Sequence, residues 1–245
     1  MIRQCILTAV ITLAVNSGFA QGTGGATAAA EEEGPWSGKF SLGYLSTSGN
    51  TDTTTYNTAF EVTYTMNKWS HTASGSANGN EESDLHLAEA YQLGWKSDYN
   101  FTEHDYLFGL VNWRKDRFAG VVEQLSGSVG YGRRLITTPK HLLSAEIGAG
   151  YRDSELSDDT TEDGTIIRGG LDYTWTFTEK SGFDQHFSVE AGDDNTYVES
   201  ISALRASLIG GFAMVLSYTV RHNSDVPTGS LKTDKLTAIS IEYAF

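Results

Sequence analysis

Apolar and polar residues alternate one for one through most of this chain. In the closing stretch Thr237, Ile239, Ile241, Tyr243 and Phe245 share one parity, and Ala238, Ser240, Glu242 and Ala244 fill the other. A strand sends successive side chains to opposite faces, so one face here is apolar and ends in two rings while the other is small or polar. The same rhythm runs through Trp36, Gly38, Phe40, Leu42 and Tyr44, through Tyr56 to Met66, and through Leu143 to Tyr151, Ile167 to Phe177 and Phe212 to Val220. It predicts strands near 36–44, 56–66, 69–79, 85–97, 105–116, 121–134, 141–153, 164–177, 182–192, 197–208, 212–222 and 233–245. Strand 105–116 has apolar residues on both parities, so its facing is open.

Ten or more residues per strand exceeds the usual five or six of soluble sheets and matches the length that crosses a bilayer at a tilt. The expected fold is all-β: a closed antiparallel transmembrane β-barrel of about twelve strands, with lipid outside and a wet lumen inside. An even count leaves both ends on one side, expected to be the periplasm. Short turns are then predicted at 67–68, 98–104, 135–140, 178–180 and 209–211, and the longest outer loops at 154–163 and 223–232. Trp36, Tyr64, Trp69, Trp95, Tyr99, Phe101, Tyr106, Trp175, Phe177 and Phe245 gather at the inferred periplasmic ends, where rings favour the headgroup level. Tyr44, Tyr56, Trp113, Phe118, Tyr151 and Tyr197 are expected at the outer rim. The aromatic end, with Tyr243 and Phe245, resembles the assembly signal read by the barrel-assembly machinery of bacterial outer membranes.

The amino end reads differently. Arg3, the short apolar run Ile6 to Val15 and the small residues Gly18 and Ala20 predict a signal peptide over 1–20. Residues 21–35, rich in Gly, Ala and Glu, are expected to be a flexible periplasmic lead-in, with a single barrel domain over 36–245. Cys5 precedes the apolar run, so neither acylation nor a disulfide in the mature chain is expected. Residues 1–20 carry Arg3 and no acid, so their removal moves the formal charge from −14 to −15. That acidity argues against nucleic acid as a partner. The expected location is the outer membrane of a Gram-negative bacterium, with lipid and lipopolysaccharide as surroundings.

The inferred lumen face carries Lys39, Glu61, His86, Lys96, Glu146, Arg152, Arg168, Asp172, Asp184, His186, Glu190, Arg221 and Glu242, a mixture of both signs suited to pairing rather than to a ring of one sign. Closure sets the last strand against the first, so Lys39 and Glu242 are expected to pair inside the barrel. Glu155, Asp158, Asp159, Glu162 and Asp163 offer oxygen atoms to a divalent cation but lack the Asp-x-Asp-x-Asp-Gly ladder of a calcium loop, so a solvated loop is expected there. No cofactor is expected. Barrel hydrolases are the alternative reading, with His222, Asn223 and Ser224 as phospholipase-like residue types and Asp84 with His86 as an omptin-like acid and imidazole. Adjacent strand residues point apart, however, so the expectation is a non-enzyme. Glycines 127, 130, 132, 148 and 150 inside strands are expected to ease curvature.

Several pieces resemble one family in order: the hairpin around Ser48-Gly49-Asn50-Thr51-Asp52-Thr53, the Tyr-Asn-Phe-Thr turn at 99–102 followed by Tyr106-Leu-Phe-Gly109, Asp116-Arg-Phe118, Gly130-Tyr131-Gly132, Pro227-Thr-Gly229, Lys232-Thr-Asp234 and the final Tyr-Ala-Phe. The resemblance is to the YdiY-like, DUF481-type family, described as salt-induced outer-membrane proteins of otherwise unknown function. It implies an outer-membrane barrel and brings no catalytic or binding residues. The expected role is therefore a structural or passive small-solute pore in the envelope, produced in response to salt.

Overall fold

The structure, a computed structural model, describes residues 35–47, 53–82, 85–117 and 119–245; the expected signal peptide, nearly all of the lead-in and the 48–52 hairpin tip lie outside them. Twelve strands follow one another: β1 Trp36–Thr47, β2 Thr53–Met66, β3 Trp69–Glu82, β4 Leu85–Asn100, β5 Asp105–Asp116, β6 Val121–Thr137, β7 His141–Leu156, β8 Thr161–Thr178, β9 Ser181–Gly192, β10 Thr196–Ser207, β11 Phe212–Asn223 and β12 Thr233–Ala244. Each pairs antiparallel with its sequence neighbours, and β12 returns to β1 to close the barrel. Closure leaves no free edge of the sheet as a whole, which is what allows a sheet to sit in lipid.

Local chemistry sets the turns. Asn67 takes φ 55° in the two-residue β2–β3 turn, a conformation that Asn tolerates. Thr102 and Thr138 each accept a hydrogen bond from the backbone N–H three residues on, at 2.8 and 3.0 Å, and so end the β4–β5 and β6–β7 turns. Gly210 and Gly211 both have positive φ (58° and 80°), and a Cβ on Gly211 would stand 2.7 Å from the Ala244 carbonyl. The predicted 98–104 turn shrinks to 101–104 because β4 continues to Asn100. The predicted long loop 154–163 is only 157–160, since pairing continues from Ser154↔Glu162 to Glu155↔Thr161. Polar strand ends above the apolar belt lack the alternation that marks them as strand, which is why the pattern cut them short.

Pairing followed once around the ring returns to β1 displaced by roughly 16 residues. With about 4.8 Å between strands and about 3.3 Å per residue, that stagger gives a tilt of roughly 40–45° and a backbone radius of about 12 Å. The core is inverted relative to a soluble protein. Val129 (70%), Ile147, Ile167 and Ile239 (each 64%) are exposed on the outside, whereas Arg168, Glu190 and Glu199 are buried inside. Only a hydrocarbon environment covers such an apolar band without cost.

Rings mark the turn end of the barrel. Trp36 packs on Tyr64 (4.6 Å between centroids), Trp69 on Tyr99 (5.0 Å), Trp175 on Phe177 (4.6 Å) and Phe212 on Tyr243 (4.9 Å). Two expected girdle members are corrected. Tyr106 (4% exposed) and Tyr197 (6%) turn into the lumen, because pairing fixes the parity of β5 and β10 where their own patterns leave it ambiguous. Phe118 lies outside the described residues.

Candidate functional site, the barrel lumen

Most lumen charges pair with one another in clusters on β4 and β7 to β12. Lys96 on β4 reaches Glu146 on β7 at 2.5 Å and Asp98 at 3.4 Å. The Tyr106 hydroxyl donates to the same Glu146 oxygen at 2.9 Å. Arg168 on β8 stands between Glu146 and Glu190, 3.9 Å from each. Arg205 on β10 bridges Asp184 (3.1 Å) and Glu242 (2.9 Å), and His186 meets Asp172 at 2.6 Å. The side chains of Glu146, Arg168 and Glu190 are all under a tenth exposed. Groups so far from water persist as ions only because each has an opposite partner.

A second set braces the loop end across the barrel. Strands β5 and β11 are six steps apart in a ring of twelve, hence opposite. Yet Arg114 on β5 donates to Asn223 on β11 at 3.5 Å, and Arg221 on β11 lies 3.9 Å from Asp116 on β5. Two side chains in contact span far less than the roughly 24 Å diameter of a circular section, so the barrel is pinched at this level. The Arg114 guanidinium also lies 4.0 Å from the centre of the Tyr197 ring and donates to Gln124 at 2.9 Å, while Arg221 bonds Glu199 at 2.8 Å. Asn195 donates to Asn223 at 3.0 Å and accepts from Ser224 and from the Asp225 backbone N–H, both at 3.2 Å. Above these braces three loops meet at Gly120 (φ 73°), where a Cβ would lie 2.9 Å from Ser230, 3.0 Å from Ser157 and 3.2 Å from Pro227.

The wall made by β1, β2 and β3 is of another kind. Its described inward positions are Ser37, Lys39, Ser41 and Gly43, then Thr55, Asn57, Ala59, Glu61, Thr63 and Thr65, then Ser70 to Asn78 on even numbers, nearly all uncharged and none fully buried. The one ion pair there among the described residues, Lys39–Glu61 at 3.1 Å, leaves its side chains 43% and 45% exposed.

That pair corrects a sequence expectation. Lys39 and Glu242 both face the lumen, but closure sets Lys39 against Ala244 and Glu242 against Ser41, so the stagger gives Lys39 to Glu61 and Glu242 to Arg205. The acidic candidates separate as well. Asp158 binds the Thr160 backbone N–H at 3.1 Å, and Thr160's hydroxyl and N–H together hold its carboxyl below the ordinary value. Asp159 sits at φ 64°, Asp163 accepts from the Tyr151 hydroxyl, and Glu162 turns inward on β8. Among the described residues no three acids, histidines or cysteines are grouped to hold a metal. His222 shares a hydrogen with Thr233 at 2.8 Å while Ser224 is directed to Asn195, so these two do not form a nucleophile and base. Asp84 and the His86 side chain lie outside what is described. Arg114, Asp116, Asn195, Glu199 and Arg205 were not legible beforehand, and Asn223 stood out only as a hydrolase-like residue type; β5 and β10 give no parity, and opposition across the lumen leaves no local signal.

With this geometry in view, the comparisons are informative at the level of family. The chain is 32% identical to the uncharacterized protein YdiY of Escherichia coli (strain K12) over 215 residues, covering 86% of this chain and 83% of that one. More distant solved structures include the NanC porin (10% identity, TM-score 0.47, covering 84% of this chain and 97% of that one), the KdgM porin (8%, 0.46, 85% and 99%) and the translocator domain of autotransporter NalP from Neisseria meningitidis (12%, 0.46, 86% and 88%). Likenesses that remote say nothing about cargo. Residues 40–245 match a family described as protein of unknown function, DUF481, and the chain therefore belongs to the DUF481 family.

Proposed function

We propose that this protein is an outer-membrane barrel of a Gram-negative bacterium that acts as a narrow passive pore for small solutes, with both barrel ends in the periplasm. The supporting observation is an ion pair, Lys39–Glu61, nearly half exposed inside a cylinder whose outside is apolar. The exposure continues along the same wall at Ser41, Thr72, Ser74 and Ser76, as an open water path requires. In planar bilayers the purified protein gives stable unitary conductance steps; silent bilayers that contain inserted protein overturn the pore. A non-conducting structural barrel is the second reading, favoured by the Arg114–Asn223 and Arg221–Asp116 braces.

The surroundings follow from the same reading. Outer-membrane lipid and lipopolysaccharide contact the apolar belt and loops, and the barrel-assembly machinery reads the strand ending in Tyr243 and Phe245. Deleting Phe245 then lowers the folded fraction in outer-membrane extracts several-fold. The role is non-enzymatic, and turnover of a phospholipid or peptide abolished by His222→Ala overturns that. The salt response implied by the family resemblance is checked by immunoblot of cells grown at low and high sodium chloride.

A further inference from the structure

The lumen has two unlike sides. On β6 to β9 inward serines are buried against the charged network, with Ser126 3% and Ser188 6% exposed. On β1 to β3 the inward Ser41, Thr72, Ser74 and Ser76 keep contact with solvent. The charges divide in the same way. Every ion pair on the network side has at least one carboxylate or guanidinium at or below about a third exposed, save His186–Asp172, whereas Lys39 and Glu61 neutralise each other in the open. The hydroxyls on the open wall also bond one another, as Thr63 and Thr72 do at 2.9 Å.

From this asymmetry we infer that the water path is eccentric, running along the β1–β2–β3 wall, and that its cargo is small, neutral, hydroxyl-bearing solutes. The inference rests on the pore reading and adds the route and the solute class. A hydroxyl-lined wall exchanges hydrogen bonds with a polyol at little net cost, because each group is both donor and acceptor. An ion passing the same wall gives up part of its hydration and meets no ring of opposite charge to replace it, the one charged feature among its described side chains being a closed pair. The network opposite holds most of the remaining charges in mutual pairs, and Arg114 and Arg152 are only 4% and 5% exposed against Gln124, the Tyr197 ring and the Asn195 carbonyl, so little free charge faces a passing ion there either.

Two measurements separate the route from the solute class. Single cysteines at Ser74 and Ser76 on the open wall, and at Ser126 and Ser188 on the filled side, are each exposed to iodoacetamide in the folded, detergent-purified protein, with denatured samples giving the full thiol count and the unsubstituted protein giving any background from Cys5. The serine-to-cysteine exchange is nearly isosteric, and heat-modifiable gel migration verifies folding of each variant. Ser74→Cys and Ser76→Cys are expected to react at least ten-fold faster than the other two. Equal rates, or protection at both wall positions, overturn the eccentric route. Proteoliposome swelling is then followed with glucose, gluconate and glucosamine, which are alike in size and differ in charge. Glucose is expected to enter at least three-fold faster than either charged analogue, and Ser74→Trp to remove most of that flux. Entry of gluconate or glucosamine as fast as glucose overturns the solute class while leaving a pore; no entry of any of the three overturns the pore itself.

Discussion

Glu146 joins side chains of three other strands in the lumen, and its removal gives a magnitude that can be worked out beforehand. Its carboxylate holds Lys96 at 2.5 Å, accepts from the Tyr106 hydroxyl at 2.9 Å and faces Arg168 at 3.9 Å. Glu146→Ala leaves a buried phenol without its acceptor, which costs about 1–2 kcal/mol. It also takes the nearest counter-charge from Lys96 and one of two equidistant ones from Arg168; stripping one partner from a buried pair costs about 3–5 kcal/mol. That second figure is discounted, because Lys96 keeps Asp98 at 3.4 Å and Arg168 keeps Glu190 at 3.9 Å. A net loss of about 3 kcal/mol is expected, read as a lower midpoint in guanidinium unfolding of protein refolded into lipid vesicles. Glu146→Gln, which preserves an acceptor for Tyr106, is expected to lose about half as much. A double-mutant cycle with Lys96→Met isolates the pair and is expected to give at least about 1 kcal/mol of coupling. A Glu146→Ala loss below about 0.5 kcal/mol would refute the account of the lumen as a mutually dependent charge network.

Other perturbations test other parts of the barrel. Gly130 has no room for a side chain, since a Cβ would stand 2.3 Å from the Ile147 carbonyl and 2.6 Å from the Phe108 ring, whereas the space around Gly127 is open. Gly130→Ala is expected to cost about 1–3 kcal/mol in the same unfolding assay and Gly127→Ala under about 0.5, with equal effects counting against the packing described. Arg221→Met removes the tie to Asp116 on the opposite strand and is expected to raise unitary conductance in planar bilayers, if the pore reading holds; unchanged current with intact folding would show that the brace does not restrict passage. Closure is also uneven: β1 and β12 are joined from Gly38, which exchanges backbone hydrogen bonds with Phe245, only as far as Leu42↔Ile241, while β1 remains paired with β2 out to Thr47↔Thr53. Peptides covering 43–47 and 233–240 are therefore expected to exchange amide hydrogens faster than those of β6 and β7, and uniform protection would place a full ladder at the seam.

How much of this was legible beforehand depends on whether the information is local. Alternation is local, so strand number, order and the outward face of β1, β2, β7, β8, β11 and β12 could be read directly from residues such as Phe40, Ile147 and Ile239, all of which the structure leaves exposed. Strand ends were less legible, because beyond the apolar belt both faces meet water and the period-two contrast fades, as at Ser154 to Asp163 on β7 and β8. Parity failed where a strand must feed the lumen with rings. Tyr106 and Phe108 are inward on β5 beside outward Leu107 and Val111, so composition alone cannot tell its faces apart.

The lumen contacts depend on something alternation does not contain. A side chain's face is fixed by its parity, but its height relative to another strand is fixed by the summed stagger of every pairing between them. Lys39 illustrates the difference. Its lumen direction was readable, yet the pairing of Ser41 rather than Lys39 with Glu242 shifts the expected contact by two residues and hands Lys39 to Glu61, its direct neighbour on β2. Lys96 and Glu146 are fifty positions apart and three strands distant, and only the accumulated tilt of those strands brings them to one level. In a barrel of this kind the sequence pattern determines which residues are available to the lumen, and the stagger determines which of them meet; an argument about what passes through must therefore rest on the second.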